Sequence, residues 1–208
     1  PELLDTLATM FIESGYDLKE LCRQICLSHV YQLDSEPVGH NVLDRRSFSR
    51  HYPKRLTAEV LLDAVDSVLQ STTEFAGLPP GTRAVALPDS SFPSYFLTVF
   101  GRPEAKTACE CERFQEANLA QSLHLLNSEE IQKKLSAEGG RAASLAADDG
   151  GPDEAKVAQL YLAAFCRPPR SEEREKVLAY LASQPDRRAA YEDIVWSLIN
   201  SKEFLFNH

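Results

Sequence analysis

Residues 153–169, Asp153-Glu154-Ala155-Lys156-Val157-Ala158-Gln159-Leu160-Tyr161-Leu162-Ala163-Ala164-Phe165-Cys166-Arg167-Pro168-Pro169, decide the fold. Val157, Leu160, Tyr161, Ala164 and Phe165 recur at spacings of three and four, the period of a helix with one apolar face. Two consecutive prolines then forbid its continuation. The same pattern repeats downstream. Ser171 with Glu172 and Glu173 reads as a cap and an acidic first turn, which the helix macrodipole favours, ahead of an apolar face of Val177, Leu178 and Leu181. A last helix carries Tyr191, Ile194, Val195, Leu198 and Ile199, with Trp196 as a bulky anchor. Asn200 and Glu203 stand at capping-box spacing, which predicts a restart that tucks Phe204 and Phe206 into the core.

Upstream, Leu3, Leu4, Leu7, Met10 and Phe11 predict a first helix stopped by Gly15. Asp17 with Glu20 opens a second helix through Val30, and the short turn between them makes a hairpin. Thr57 caps a third helix with the stripe Leu61, Leu62, Val65, Val68 and Leu69. Five prolines (79, 80, 88, 93 and 103) then make residues 71–115 a long irregular excursion, broken by the apolar run Tyr95-Phe96-Leu97. Leu119, Leu123 and Leu126 mark a fourth helix, and Asn127 with Glu130 caps another carrying Ile131 and Leu135. Gly139-Gly140 and residues 148–152 read as breaks around a mobile linker. No alternating strand of useful length is present. The expected class is all-α, an irregular multi-helix bundle with a long Pro/Gly-rich loop. The expected organisation is one domain over 1–208, with N-terminal helices in 1–70, the loop in 71–115, central helices in 116–147 and a C-terminal three-helix unit in 153–208.

Composition sets the outer bounds. The chain has 208 residues, 43% hydrophobic and 25% charged, which excludes wholesale disorder and a disulfide-dense miniprotein. Twenty-two Lys and Arg against 31 Asp and Glu give a net charge of −9, which opposes binding to a polyphosphate backbone, so no nucleic-acid partner is expected. Residues 45–55 concentrate five basic side chains around Phe48, His51 and Tyr52, and read as a solvated connector or anion-facing loop. No apolar run nears the roughly 20 residues of a membrane helix, so no membrane span is expected. Pro1 opens directly on a helical pattern without an initiator Met or leader, as in a segment of a longer protein.

Five cysteines are too few for a disulfide scaffold. Cys22, Cys26 and His29 share a helical face and have the geometry to offer three ligands to a metal. Leu18, Leu21 and Ile25 run along the same stripe, so packing is the expected role. Cys109-Glu110-Cys111-Glu112-Arg113 differs, because its neighbours are polar. Cys109 and Cys111 suit a structural thiol or disulfide role, a soft metal, or a redox pair, and no metal site is assigned.

Several separated strings point the same way. Pro1-Glu2-Leu3-Leu4-Asp5, Pro53-Lys54-Arg55-Leu56-Thr57-Ala58-Glu59, Phe100-Gly101-Arg102-Pro103, the Cys109 to Arg113 motif, Leu119-Ala120-Gln121, His124-Leu125-Leu126-Asn127, Arg167-Pro168-Pro169 and Asn200 to His208 occur in one order. Together they resemble the planctomycete family of domain of unknown function 1553, over nearly the whole chain. The resemblance implies a carboxy-terminal module of an extracytoplasmic bacterial protein, secreted or periplasmic. It implies upstream domains, often one of cytochrome c type, and sulfatase-like proteins as neighbours. Haem is then expected only upstream, with no cofactor in this segment. The family carries no established activity.

Two functional readings stand side by side. No G-x-S-x-G, H-E-x-x-H, P-loop or G-x-G-x-x-G occurs, which favours a non-catalytic helical module that supports or docks to an upstream redox or glycan-handling domain. The alternative is a hydrolase or ligand-binding site where the 71–115 loop meets the following helix. There Glu112 or His124 would transfer protons, Arg102 and Arg113 would clamp an anion, and Gln121 and Asn127 would orient it.

Overall fold

The computed structural model describes residues 2–44, 46–103, 128–148 and 150–207. Among them stand ten α-helices and one pair of two-residue strands, so the chain is mostly helical and irregularly arranged, as its apolar periodicity predicts. The residues form two compact units, one up to Lys54 and one from Arg55 to Asn207.

The first unit holds α1 (Glu2–Glu13) and α2 (Leu18–Leu27), which pack on each other. The turn works because Gly15 and Tyr16 adopt left-handed φ of 72° and 65°, which lets their amides reach back to Ile12 and Phe11 carbonyls. Asp17 then caps α2, accepting from the Lys19 and Glu20 amides at 2.8 and 3.1 Å. The Glu20 side chain does not close a capping box with Asp17; its carboxylate accepts from Arg23 and Gln24 instead. α2 ends at Leu27 rather than Val30, because Ser28 turns extended at ψ 144°. No residue of either helix is buried, and Leu3 and Leu18 are 72% and 65% exposed. Farther along, Asp44 accepts from the amides of Arg46, Ser47 and Ser49 and from the Ser49 hydroxyl, which draws its carboxyl far below the usual carboxylate range.

In the second unit α3 (Ala58–Leu69) is the axis, with Leu61, Leu62, Val65, Val68 and Leu69 all buried. Against it pack α4 (Tyr95–Val99), α5 (Glu129–Leu135), α6 (Arg141–Ala147), α7 (Asp153–Phe165) and α9 (Arg187–Ile199). Helix α8 (Ser171–Ser183) packs on α7 and α9, and α10 (Lys202–Leu205) restarts the chain after α9. The core gathers Phe96, Ile131, Val157, Leu160, Tyr191 and Ile199 around the α3 stripe. Each such side chain contributes roughly 1.5–3 kcal/mol on leaving water. The strands β1 (Lys54–Arg55) and β2 (Phe206–Asn207) pair, and the Leu56 amide donates to the Leu205 carbonyl at 3.0 Å.

Several local expectations are corrected. The expected mobile linker after Gly140 is helix α6, which buries Ala142 and Leu145. The cap before α5 is Ser128, whose hydroxyl accepts from the Ile131 amide, rather than Asn127. Arg170, not Ser171, is the N-cap of α8, and the Glu173 carboxylate accepts from its amide at 2.6 Å. Ser201, not Asn200, caps α10, and Phe204 is buried there while Phe206 is only half-buried. Thr57 heads α3 without a side-chain cap bond. The Pro/Gly-rich excursion, where described, contains a 3-10 turn over Ala84–Ala86 and helix α4. That turn is fastened to α3 by Asp63, which accepts from the Ala84 and Val85 amides and pairs with Arg83.

Candidate functional site

Gly101, at φ 84°, turns the chain after α4 so that the Arg102 amide reaches the Leu97 carbonyl at 2.9 Å. The Arg102 side chain turns back, and its Nη2 donates to the Phe92 carbonyl at 2.6 Å. Its Nη1 is buried and meets no hydrogen-bond partner among the described residues. Arg102 lines a cavity of about 350 Å³ shared with Thr57, Glu59, Asp89 and Ser90. The Asp89 carboxyl is held below its ordinary range, first by the Ser91 hydroxyl and amide, with the Arg102 charge adding to the effect. A guanidinium beside acidic neighbours can hold one anionic oxygen. Cys109, Cys111, Glu112, Arg113, Gln121, His124 and Asn127 lie outside the described residues, so Arg102 alone of the expected set is placed.

The strongest electrostatic arrangements are ones that the sequence reading did not find. Lys134 is 9% exposed, and its Nζ donates to Asp66 Oδ1 at 2.5 Å and Thr73 Oγ1 at 2.6 Å. Asp66 also accepts from the Ser71 hydroxyl and from the Thr73 amide and hydroxyl, which fixes the chain just after α3. Lys156 is 3% exposed, and its ammonium donates to the Leu145 carbonyl at 3.2 Å and to the Asp148 carbonyl. It thus satisfies carbonyls at the end of α6. Arg167 makes paired hydrogen bonds to Glu173 at 2.8 and 2.8 Å and to Glu203 at 2.6 and 2.8 Å, joining the end of α7 to α8 and α10. These bonds raise the guanidinium's affinity for its proton and hold the Glu173 carboxyl down at about 2. The signal for this triad was in the sequence, as acids placed to answer an arginine ahead of Pro168-Pro169. Glu173 reads equally well as a plain first-turn acid.

Cys22, Cys26 and Cys166 are free thiols and exposed, which corrects the expected packing role of the first two. Leu18 and Ile25 beside them are exposed too. Among these residues no group of three or more His, Cys, Asp or Glu is placed to hold a metal ion. No helix of the described residues is long and apolar enough to cross a membrane.

Residues 1–181 match the family model described as PSD1, a protein of unknown function (DUF1553). The chain belongs to this family. No curated protein and no solved structure matches it. In this PSD1 family member the matched span closes within α8, yet α9 and α10, beyond it, complete the same core through Tyr191, Val195, Ile199 and Phe204.

Proposed function

We propose that the chain is a non-catalytic helical module of a larger extracytoplasmic bacterial protein. It docks to a preceding domain of the same polypeptide, one that carries redox chemistry or handles glycans, with sulfatase-like proteins as further partners. Haem, where the protein has it, resides in that preceding domain. The observation that carries this reading is the α1–α2 hairpin, which buries none of its residues while exposing Leu3, Leu4, Ile12, Leu18 and Leu27. A hairpin with that much apolar surface uncovered among the described residues is built for a partner. The second unit supports the same reading, since its buried lysines are spent on holding helices together.

Cys22 and Cys26 provide the test, because they share the α2 stripe with Leu18 and Ile25. In the isolated chain both thiols should alkylate at the rate of a denatured control. In the full-length polypeptide they should be protected at least tenfold. Equal rates in the two would sink the docking reading.

One observation favours a second reading, a ligand-binding or hydrolytic site at the loop junction: the Nη1 of Arg102, which is buried and has no hydrogen-bond partner among the described residues. If it serves an anion, Arg102→Lys abolishes sulfate protection against thermal unfolding while leaving the apo Tm within a few degrees.

A further inference from the structure

A second concave site lies on the face where α8 and α9 meet α7, with a volume of about 410 Å³. That is within the roughly 300–1,000 Å³ of small-ligand pockets. Its apolar floor is Tyr161, Val177 and Leu198, and the half-buried rings of Tyr180 and Trp196 line it. Lys176, Asp193 and Ser197 supply the polar groups. The Tyr180 hydroxyl donates to Asp193 Oδ2 at 2.5 Å, which fixes both side chains across the helix pair.

The balance of these groups selects the ligand. One ammonium and one carboxylate cancel, so neither an anion nor a cation gains a net electrostatic advantage there. Together they offer donors, acceptors and hydroxyls that serve as both. A ligand with hydroxyls along its edges and apolar C–H faces engages the polar groups and the aromatic rings at once, and a neutral sugar ring has that form. We infer that this α8–α9 groove binds a neutral saccharide, with Tyr180 and Trp196 as the stacking residues and Lys176, Asp193 and Ser197 as hydrogen-bonding residues. The inference is independent of the docking role of the α1–α2 hairpin.

Trp196 is the chain's single tryptophan, so its emission reports on this site alone. The 208-residue chain would be titrated with cellobiose, maltose, lactose and xylobiose, with hexanoate and hexylamine as charged apolar controls. The expected result is a saturable emission change with at least one neutral saccharide and none with the two controls. Tyr180→Ala and Asp193→Ala should each raise its Kd about tenfold or more, equivalent to about 1.4 kcal/mol. Tyr180→Phe, which keeps the ring, should cost less than Tyr180→Ala. Lys176→Ala, at an exposed position, gives a variant that keeps its fold and also weakens binding. No saturable change with any saccharide overturns the inference. So does a response to hexanoate or hexylamine alone, or saccharide binding unmoved by all four substitutions.

Discussion

Lys134 shows how far a residue's role depends on its setting. It stands beside Lys133 in a run that reads as an ordinary charged helix, yet Lys133 is 79% exposed and Lys134 only 9%. Its neighbour in space, Asp66, is remote in sequence, and no local pattern could have paired them. Removing one member of such a pair leaves the other charge uncompensated. Lys134→Met is expected to lower unfolding stability by about 2–4 kcal/mol in urea titrations, whereas Lys133→Met should stay within about 0.5 kcal/mol of the parent. Gly140 is a second such position. A Cβ there would lie 3.0 Å from the Ala137 carbonyl oxygen and 3.4 Å from those of Leu69 and Lys134. Backbone oxygens of this kind cannot swing away, so Gly140→Ala should cost about 1–3 kcal/mol by the same measurement. In the sequence Gly140 reads only as a break; its contact with the ends of α3 and α5 is what makes it necessary.

At the scale of elements, the triad of Arg167, Glu173 and Glu203 holds the C-terminal helices and gives the fold a definite response to acid. The Glu173 carboxyl is held at about 2 against an ordinary value of 4.5, chiefly by the Arg167 hydrogen bonds. A carboxyl depressed on folding contributes stability that is complete above its unfolded value and is lost as pH falls toward the folded one. Thermal unfolding followed by circular dichroism should therefore show Tm falling more steeply between pH 5 and 2.5 in the parent than in Glu173→Gln. Parallel curves would mean that the triad carries no such linkage. The apolar periods of α3, α7 and α9 were legible because each stripe faces the core, buried throughout except at Ala164 and Phe165 of α7, which are half-buried. Caps and linkers were less so. Whether Ser171 or Arg170 ends the turn depends on a bond from one residue's amide to Glu173, and several side chains near a helix start could have made it. Helix α6 escaped notice because Arg141–Ala147 carries one large apolar side chain, Leu145, among alanines, and it is held by Lys156 and by its packing on α9.

At the scale of the whole molecule, the buried core belongs to one of the two units. Every buried hydrophobic residue among those described, from Ala58 to Phe204, lies in the unit beginning at Arg55. The α1–α2 hairpin was legible as helices from its spacing, but the same spacing implied that its leucines and cysteines would pack inside. Apolar periodicity reports that a face seeks cover without saying whether the cover lies within the chain. Of the candidate site, only Arg102 lies among the described residues, and its position is set locally by Gly101 and the Phe92 carbonyl. Removing residues 2–50, which spares β1, should then leave a protein that still unfolds cooperatively, with Tm within about 5 °C of the parent, since no buried core residue is lost. A peptide of residues 1–54 alone should show little helix in water, because helices of 12 and 10 residues without a buried face lie at or below the roughly 12–15 residues under which isolated helices are marginal. Loss of the cooperative transition in the truncated chain would instead make the hairpin part of the fold's own foundation, and its exposed leucines would then lose their claim to be a docking surface.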